Sequence, residues 1–153
     1  MSPFGKVFPH LYVGAKPPPD HKLGLAFDWI VLCAYEVQRR TGEFGRAHVM
    51  HVPMDDTDGK APTEHEIGIA VDAGRNVAKL LAEGKDVLVT CQKGRNRSGW
   101  VSAIAMIESG VPAETAIREI RSVRGSHALS NEGFVHHLLS YRPQAVRAAR
   151  RVA

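Results

Sequence analysis

Residues 86–100 read DVLVTCQKGRNRSGW. Val87, Leu88 and Val89 make a short apolar, β-branched run, which reads as a buried strand over Asp86 to Thr90. Cys91 stands at the end of that strand. A basic, glycine-containing stretch follows, Gln92-Lys93-Gly94-Arg95-Asn96. From Arg97 the pattern is helical as far as Ser109, and Gly110 closes it. Ligands in open α/β sheets bind beyond the carboxyl ends of the strands. The loop after Cys91 therefore lies where a site is expected.

Working outward, the same alternation continues. Leu11-Tyr12-Val13 before Gly14 predicts a short strand, and Pro17-Pro18-Pro19-Asp20 a rigid loop. Trp29 to Cys33 (WIVLC) is a continuous apolar run and predicts a second buried strand. His48 to Met54 (HVMHVPM) alternates and predicts a third, ending at the turn-prone DDTDGKAP. Thr63 with Glu66 has capping-box spacing, and Ile67, Ala70, Val71, Val77, Ala78 and Leu81 mark one helical face before Gly84. Pro112 to Arg124, ending at Gly125, and Asn131 to Tyr141, ending before Pro143, predict two more helices. Strands alternating with helices imply an α/β domain with a central, mostly parallel sheet flanked by helices.

Length and composition agree with that class. The chain has 153 residues, of which 44% are hydrophobic and 24% charged, which suits one soluble domain with one core. We expect a single catalytic domain over 1–153, with its core at about 8–141 and a basic tail or helix end at 143–153, where Arg147, Arg150 and Arg151 cluster. No apolar run is long enough to span a bilayer, and the start, MSPFGKVFPHLYVG, has no signal-peptide pattern. Two cysteines make no disulfide framework, so a reducing, cytoplasmic setting is expected. The net charge of +4 favours anionic partners. The eight histidines show no metal-ligand spacing, so neither metal nor cofactor is expected.

The loop has a definite chemistry. Its backbone N–H groups can curl around an anion at a helix N-terminus. Such a setting favours the thiolate of Cys91, a good nucleophile for phosphorus. Arg97 offers a planar fork for two phosphoryl oxygens, which a lysine could not.

This C-x5-R-S pattern, Cys91 to Ser98, resembles the signature of the cysteine-dependent protein tyrosine phosphatase superfamily, in its dual-specificity branch. PHLYVG, WIVLCA, HVPMDD and LSNEGF resemble further segments of that branch. The resemblance implies that Cys91 attacks phosphorus, Arg97 and the loop residues Gln92, Lys93, Gly94, Arg95 and Asn96 bind the phosphate, and Ser98 eases departure of the thiolate. It implies support for the loop from Thr90 and Asn131. The family usually has His where Thr90 stands, and Thr carries no charge. The Pro-x-x-Asp arrangement of Pro53-Met54-Asp55-Asp56 makes Asp56 the general acid, 35 residues before Cys91; this spacing is long for the family and keeps Asp58 as the alternative. WIVLCAYE resembles the NLCAE segment of a lipid phosphatase of the superfamily, which implies that Cys33, otherwise a core residue, is a redox partner of Cys91.

The expected activity is hydrolysis of phosphomonoesters through a phosphocysteine, on phosphotyrosine, phosphoserine or phosphothreonine proteins. Phosphate, sulfate or vanadate should occupy the loop, and nucleic acid is not the expected partner. Lys93 and Arg95 keep a phosphoinositide or inositol phosphate, or an RNA 5′-triphosphate, as alternative substrates. A phospho-binding module without turnover and a rhodanese-like sulfurtransferase are the other classes; intact Cys91, Arg97 and Asp56 argue against the first, and the Arg97-Ser98 pair against the second.

Overall fold

The computed structural model describes residues 4–56 and 60–143. Its sheet has five strands in the order β1-β2-β5-β3-β4, with β1 at Phe4–Phe8, β2 at Leu11–Gly14, β3 at Trp29–Ala34, β4 at His48–Met54 and β5 at Val87–Thr90. All pairings are parallel except the β1–β2 hairpin at one edge. β5 is central and buried along its whole length. This is the α/β sheet expected from the alternation. The strand at Phe4–Phe8 escaped it, because FGKVF carries Gly and Lys in a short edge segment.

The two faces of the sheet are covered unequally. The larger core packs Val31, Cys33, Val87, Val89 and Cys91 against helices. These are α2 (Glu64–Ala82), α3 (Arg97–Glu108), α4 (Ala113–Arg124) and α5 (Glu132–Ser140). The opposite face, Ile30, Leu32 and Leu88, is closed by Phe27, Phe44 and Ala47. One short helix there, α1 (Leu23–Ala26), is the only regular element beneath that face among the described residues. Its four residues are too few to show a helical period.

The helix ends follow the local chemistry. Thr63 and Glu66 form the reciprocal capping box, with Glu66 N–H donating to Thr63 Oγ1 at 3.1 Å and Thr63 N–H donating to Glu66 Oε1 at 3.0 Å. Asn131 caps α5 by accepting from Phe134 N–H at 3.2 Å. α3 is buried from Arg97 to Ile107, as a helix at the centre of a layer must be. Trp100 on α3 stacks on Phe134 of α5 with ring centroids 4.0 Å apart. The Trp100 indole N–H donates to His137 Nδ1 at 3.0 Å, so His137 carries its proton on Nε2. Burial pushes the His137 pKa down, which suits that neutral, accepting ring.

α2 and α3 approach closely at Gly74. A Cβ placed there would lie 2.7 Å from Ile104 Cβ. We predict that Gly74→Ala lowers stability by about 1–3 kcal/mol through overpacking, despite alanine's better helix propensity. Urea denaturation measures this; an unchanged midpoint would show that Ile104 can rotate clear.

Candidate active site

β5 ends at Thr90, and the chain turns through Gln92 to Asn96 before α3 begins at Arg97. The turn is held from several sides. Lys16 N–H donates to Gln92 O at 3.0 Å, and Cys91 N–H donates to Gly14 O at 3.3 Å. Leu129 N–H donates to Arg95 O at 3.0 Å, and Arg124 Nε donates to Gly94 O at 3.2 Å. Gly94 has φ +70°, and a Cβ there would meet Gly14 C at 2.5 Å and Ala15 N at 2.6 Å. Glycine is required at this position on both counts. The backbone N–H groups of Gln92 to Asn96 donate to no described acceptor. Backbone amides left open around one concavity form an anion cradle.

Cys91 lies in that cradle, nearly buried, with Sγ 3.1 Å from Ser98 Oγ. Arg97 is also buried. Its Nη1 donates to Glu36 Oε2 at 2.8 Å and to Met54 O at 3.0 Å, and its Nη2 donates to Glu36 Oε1 at 2.5 Å. Guanidinium has five N–H donors. Three are engaged here, and Nε is buried without a partner among the described residues. The edge carrying Nε–H and the second Nη2–H is thus the fork left for an oxyanion, while the Nη1–Nη2 edge belongs to Glu36. Burial works against the Arg97 charge, but its hydrogen bonds to Glu36 and the neighbouring Cys91 raise its pKa above the ordinary value. Arg97 in turn lowers the Glu36 carboxyl below its ordinary range.

Asp56 faces the cradle from the end of β4. Its carboxylate accepts Asn96 Nδ2 at 3.0 Å and Asn131 Nδ2 at 2.9 Å. The alternative acid, Asp58, lies outside the described residues, as does most of the basic tail. A cavity of about 480 Å³ collects Glu36, Asp55, Asp56, Cys91, Gln92, Lys93, Arg95, Asn96, Arg97 and Ser130. Lys93 and Arg95 are exposed at it, and neither side chain bonds to a described residue. Thr90, in contrast, is buried away from solvent, and its hydroxyl donates to Val31 O at 3.0 Å, tying β5 to β3. Cys33 and Cys91 are both free and buried. Leu32 pairs with Thr90 across β3 and β5, so the two cysteines follow side by side on the same face of the sheet. Burial, then the nearby Cys91, pushes the Cys33 thiol well up.

Four residues of the site were not singled out from the sequence: Glu36, Ser130, Arg121 and Arg124. Arg121 holds Ala128 O at 3.0 Å and Leu129 O at 2.9 Å, bracing the segment behind the loop. Glu36 had the best available signal, a carboxylate just beyond a buried strand end and thus at the carboxyl edge where ligands bind.

Among known proteins, the family model for the dual specificity phosphatase catalytic domain matches residues 11–144. The chain belongs to this family and is a cysteine-dependent dual-specificity phosphatase, a hydrolase of phosphoric esters. No curated protein sequence matches it. Its fold is similar to that of human DUSP28, with 22% identity, 96% of this chain and 97% of that chain covered, and a TM-score of 0.77. It is similar to a mouse putative dual specificity phosphatase complexed with zinc tungstate, with 22% identity, 97% and 91% covered, and a TM-score of 0.76. It is also similar to PTPMT1 in complex with PI(5)P, with 19% identity, 99% and 100% covered, and a TM-score of 0.72. No helix of the described residues is long and apolar enough to cross a membrane.

Removing the Glu36 charge should disturb Arg97 directly. Gln offers one acceptor and one NH2, which opposes an Arg N–H donor. We predict that Glu36→Gln lowers kcat/KM for p-nitrophenyl phosphate by about 10- to 100-fold, the scale of loss from misplacing a reacting group by an ångström. The pH sign follows from the lowered Glu36 pKa: the pair contributes stability above the ordinary carboxylate range and loses it as pH falls through the lowered value. Melting temperature followed against pH should therefore drop less steeply on the acid side in Glu36→Gln than in the wild type.

Proposed function

We propose that the chain cleaves phosphomonoesters in two steps at Cys91. The Cys91 thiolate attacks phosphorus in line as the P–O bond to the leaving group breaks, and Asp56 delivers the proton to that oxygen. The loop amides and the Nε edge of Arg97 hold the phosphoryl oxygens. Water then attacks the phosphocysteine, giving its proton to Asp56, and the S–P bond breaks with the Ser98 hydroxyl stabilising the departing thiolate. The observation that carries this reading is the buried Arg97 with an open donor edge beside the Cys91–Ser98 contact of 3.1 Å. No step needs a metal.

Phosphorylated Ser, Thr and Tyr side chains are the first substrate class. A second reading, an inositol phosphate or phosphoinositide headgroup, is favoured by the lining. None of the described residues lining the cavity is aromatic, whereas Lys93 and Arg95 stand there exposed, with no ion pair to a described residue. The similarity to PTPMT1, whose complex holds PI(5)P, accords with it. Kinetics on a phosphotyrosine peptide, a phosphothreonine peptide, an inositol bisphosphate, a phosphoinositide and a triphosphorylated RNA will rank the classes. We expect vanadate-sensitive turnover that Cys91→Ser abolishes while vanadate binding persists, and we expect Lys93→Ala with Arg95→Ala to raise KM several-fold on the bisphosphate. A peptide preferred over the bisphosphate would reject the second reading, and full activity in Cys91→Ser would reject the mechanism.

We further propose that Cys33 protects Cys91 from over-oxidation. Peroxide oxidises the Cys91 thiolate to sulfenic acid, and the Cys33 sulfur then displaces water to form a disulfide. Adjacent strands lie about 4.8 Å apart, within the Cα range a disulfide spans. Mass spectrometry after mild peroxide should show the 33–91 link, and reductant should restore activity. Sulfinic acid at Cys91 beside a free Cys33 would exclude the protective role.

A further inference from the structure

Asn96 belongs to the loop by sequence, and its backbone N–H is one of the amides that line the cradle. Its side chain is engaged elsewhere. Nδ2 donates to Asp56 Oδ2 at 3.0 Å, while Oδ1 accepts the backbone N–H of Asn131 at 3.0 Å. A backbone N–H can only donate, so the amide oxygen must face Asn131 and the NH2 must face Asp56. Asn131 is fixed by the same logic. Its Oδ1 accepts Phe134 N–H at the cap of α5, which leaves its NH2 for Asp56 Oδ1 at 2.9 Å. Turning either amide over would set oxygen against oxygen and N–H against N–H. Ser130 Oγ, within 3.3 Å of Asn96 Nδ2, joins the same cluster.

Each Asp56 oxygen thus accepts one amide N–H, and each keeps a further lone pair. A proton for the leaving group can occupy one of these without breaking either bond. We infer that Asn96 is a positioning residue for the general acid: it ties Asp56 to the loop that carries Cys91. Nucleophile and acid are then referenced to each other through a few residues of loop backbone. This inference rests on the reading of Asp56 as the acid. The other charged or titratable groups lining the cavity are Glu36, Asp55, Cys91, Lys93, Arg95 and Arg97.

The test compares a poor leaving group, phenyl phosphate, with a good one, p-nitrophenyl phosphate. Loss of acid assistance weighs on the poor one. In Asn96→Ala, kcat on phenyl phosphate should fall about 10- to 100-fold, part of the range general acid catalysis supplies. On p-nitrophenyl phosphate it should fall about threefold or less, with KM and vanadate inhibition nearly unchanged. Asn96→Asp retains an acceptor for Asn131 but sets a second carboxylate against Asp56, and like charge disfavours ionisation. The basic limb of its kcat–pH profile should move upward by about one unit. Equal losses on both substrates, or a raised KM with kcat kept, would overturn the inference. An unmoved basic limb in Asn96→Asp would do so as well, and that arm decides if Asn96→Ala proves misfolded by losing vanadate binding. Asp56→Ala on the same pair separates the premises. Equal losses there remove the acid reading and the positioning role together. Losses concentrated on phenyl phosphate in Asp56→Ala but not in Asn96→Ala remove the positioning role alone.

Discussion

A buried guanidinium must be compensated, and the compensation of Arg97 shapes everything around it. Its charge sits at the first turn of α3, beneath the loop. An unpaired cation there would cost several kcal/mol, and α3 supplies no carboxylate in its first turn. The partners come instead from the far ends of two other strands: Glu36, two residues beyond β3, and the Met54 carbonyl at the end of β4. The neighbouring order β5-β3-β4 makes this possible, because it brings three strand ends to one edge. Pairing with Glu36 also sets the plane of the guanidinium, so the same ion pair that makes burial tolerable chooses which edge faces the cradle.

Asn131 couples the fold to the chemistry in a comparable way. One end of its amide caps α5 and the other meets Asp56. A cap is ordinarily a local matter worth about 1 kcal/mol. Here the cap also fixes which atom of the amide is presented to the acid. α5 is in turn held by the stacking of Phe134 on Trp100, and Trp100 belongs to α3, the helix that begins at Arg97. The phosphate side and the acid side of the cavity are therefore braced by one pair of packed helices.

What could be read from the sequence was local. The strand-loop-helix around Cys91, the capping box of α2, the glycine stops at Gly84, Gly110 and Gly125 and the cap at Asn131 each depend on residues a few positions apart. The Cys91–Ser98 contact is of this kind as well. The ion pair of Arg97 with Glu36 spans 61 positions and the hydrogen bond of Asn131 to Asp56 spans 75. No periodicity connects such residues, and only the strand order brings them together. Asn96 shows the limit most clearly. Its place in the loop gives its backbone N–H a place in the cradle, but a side-chain amide goes where fixed donors and acceptors send it, and those come from the cap of α5 and the segment after β4. The unequal covering of the sheet was hidden for a different reason: Phe27, Phe44 and Ala47 lie in irregular segments, where burial leaves no period to detect.

Thr90 gives a further step. A charged residue before the nucleophile could support the loop electrostatically, but a hydroxyl cannot. Thr90 spends its one donor on Val31, which secures the strand rather than the loop. The burden of holding the loop then passes to fixed hydrogen bonds on its carbonyls, from the Lys16 and Leu129 backbones and from Arg124. These anchor the carbonyls of Gln92, Gly94 and Arg95, turning those peptide oxygens outward. A peptide group whose oxygen is held outward presents its N–H to the other side, and that side is the cavity beside Cys91. Three external donors hold the loop carbonyls outward, and convergent N–H dipoles favour an anion without a cation at position 90.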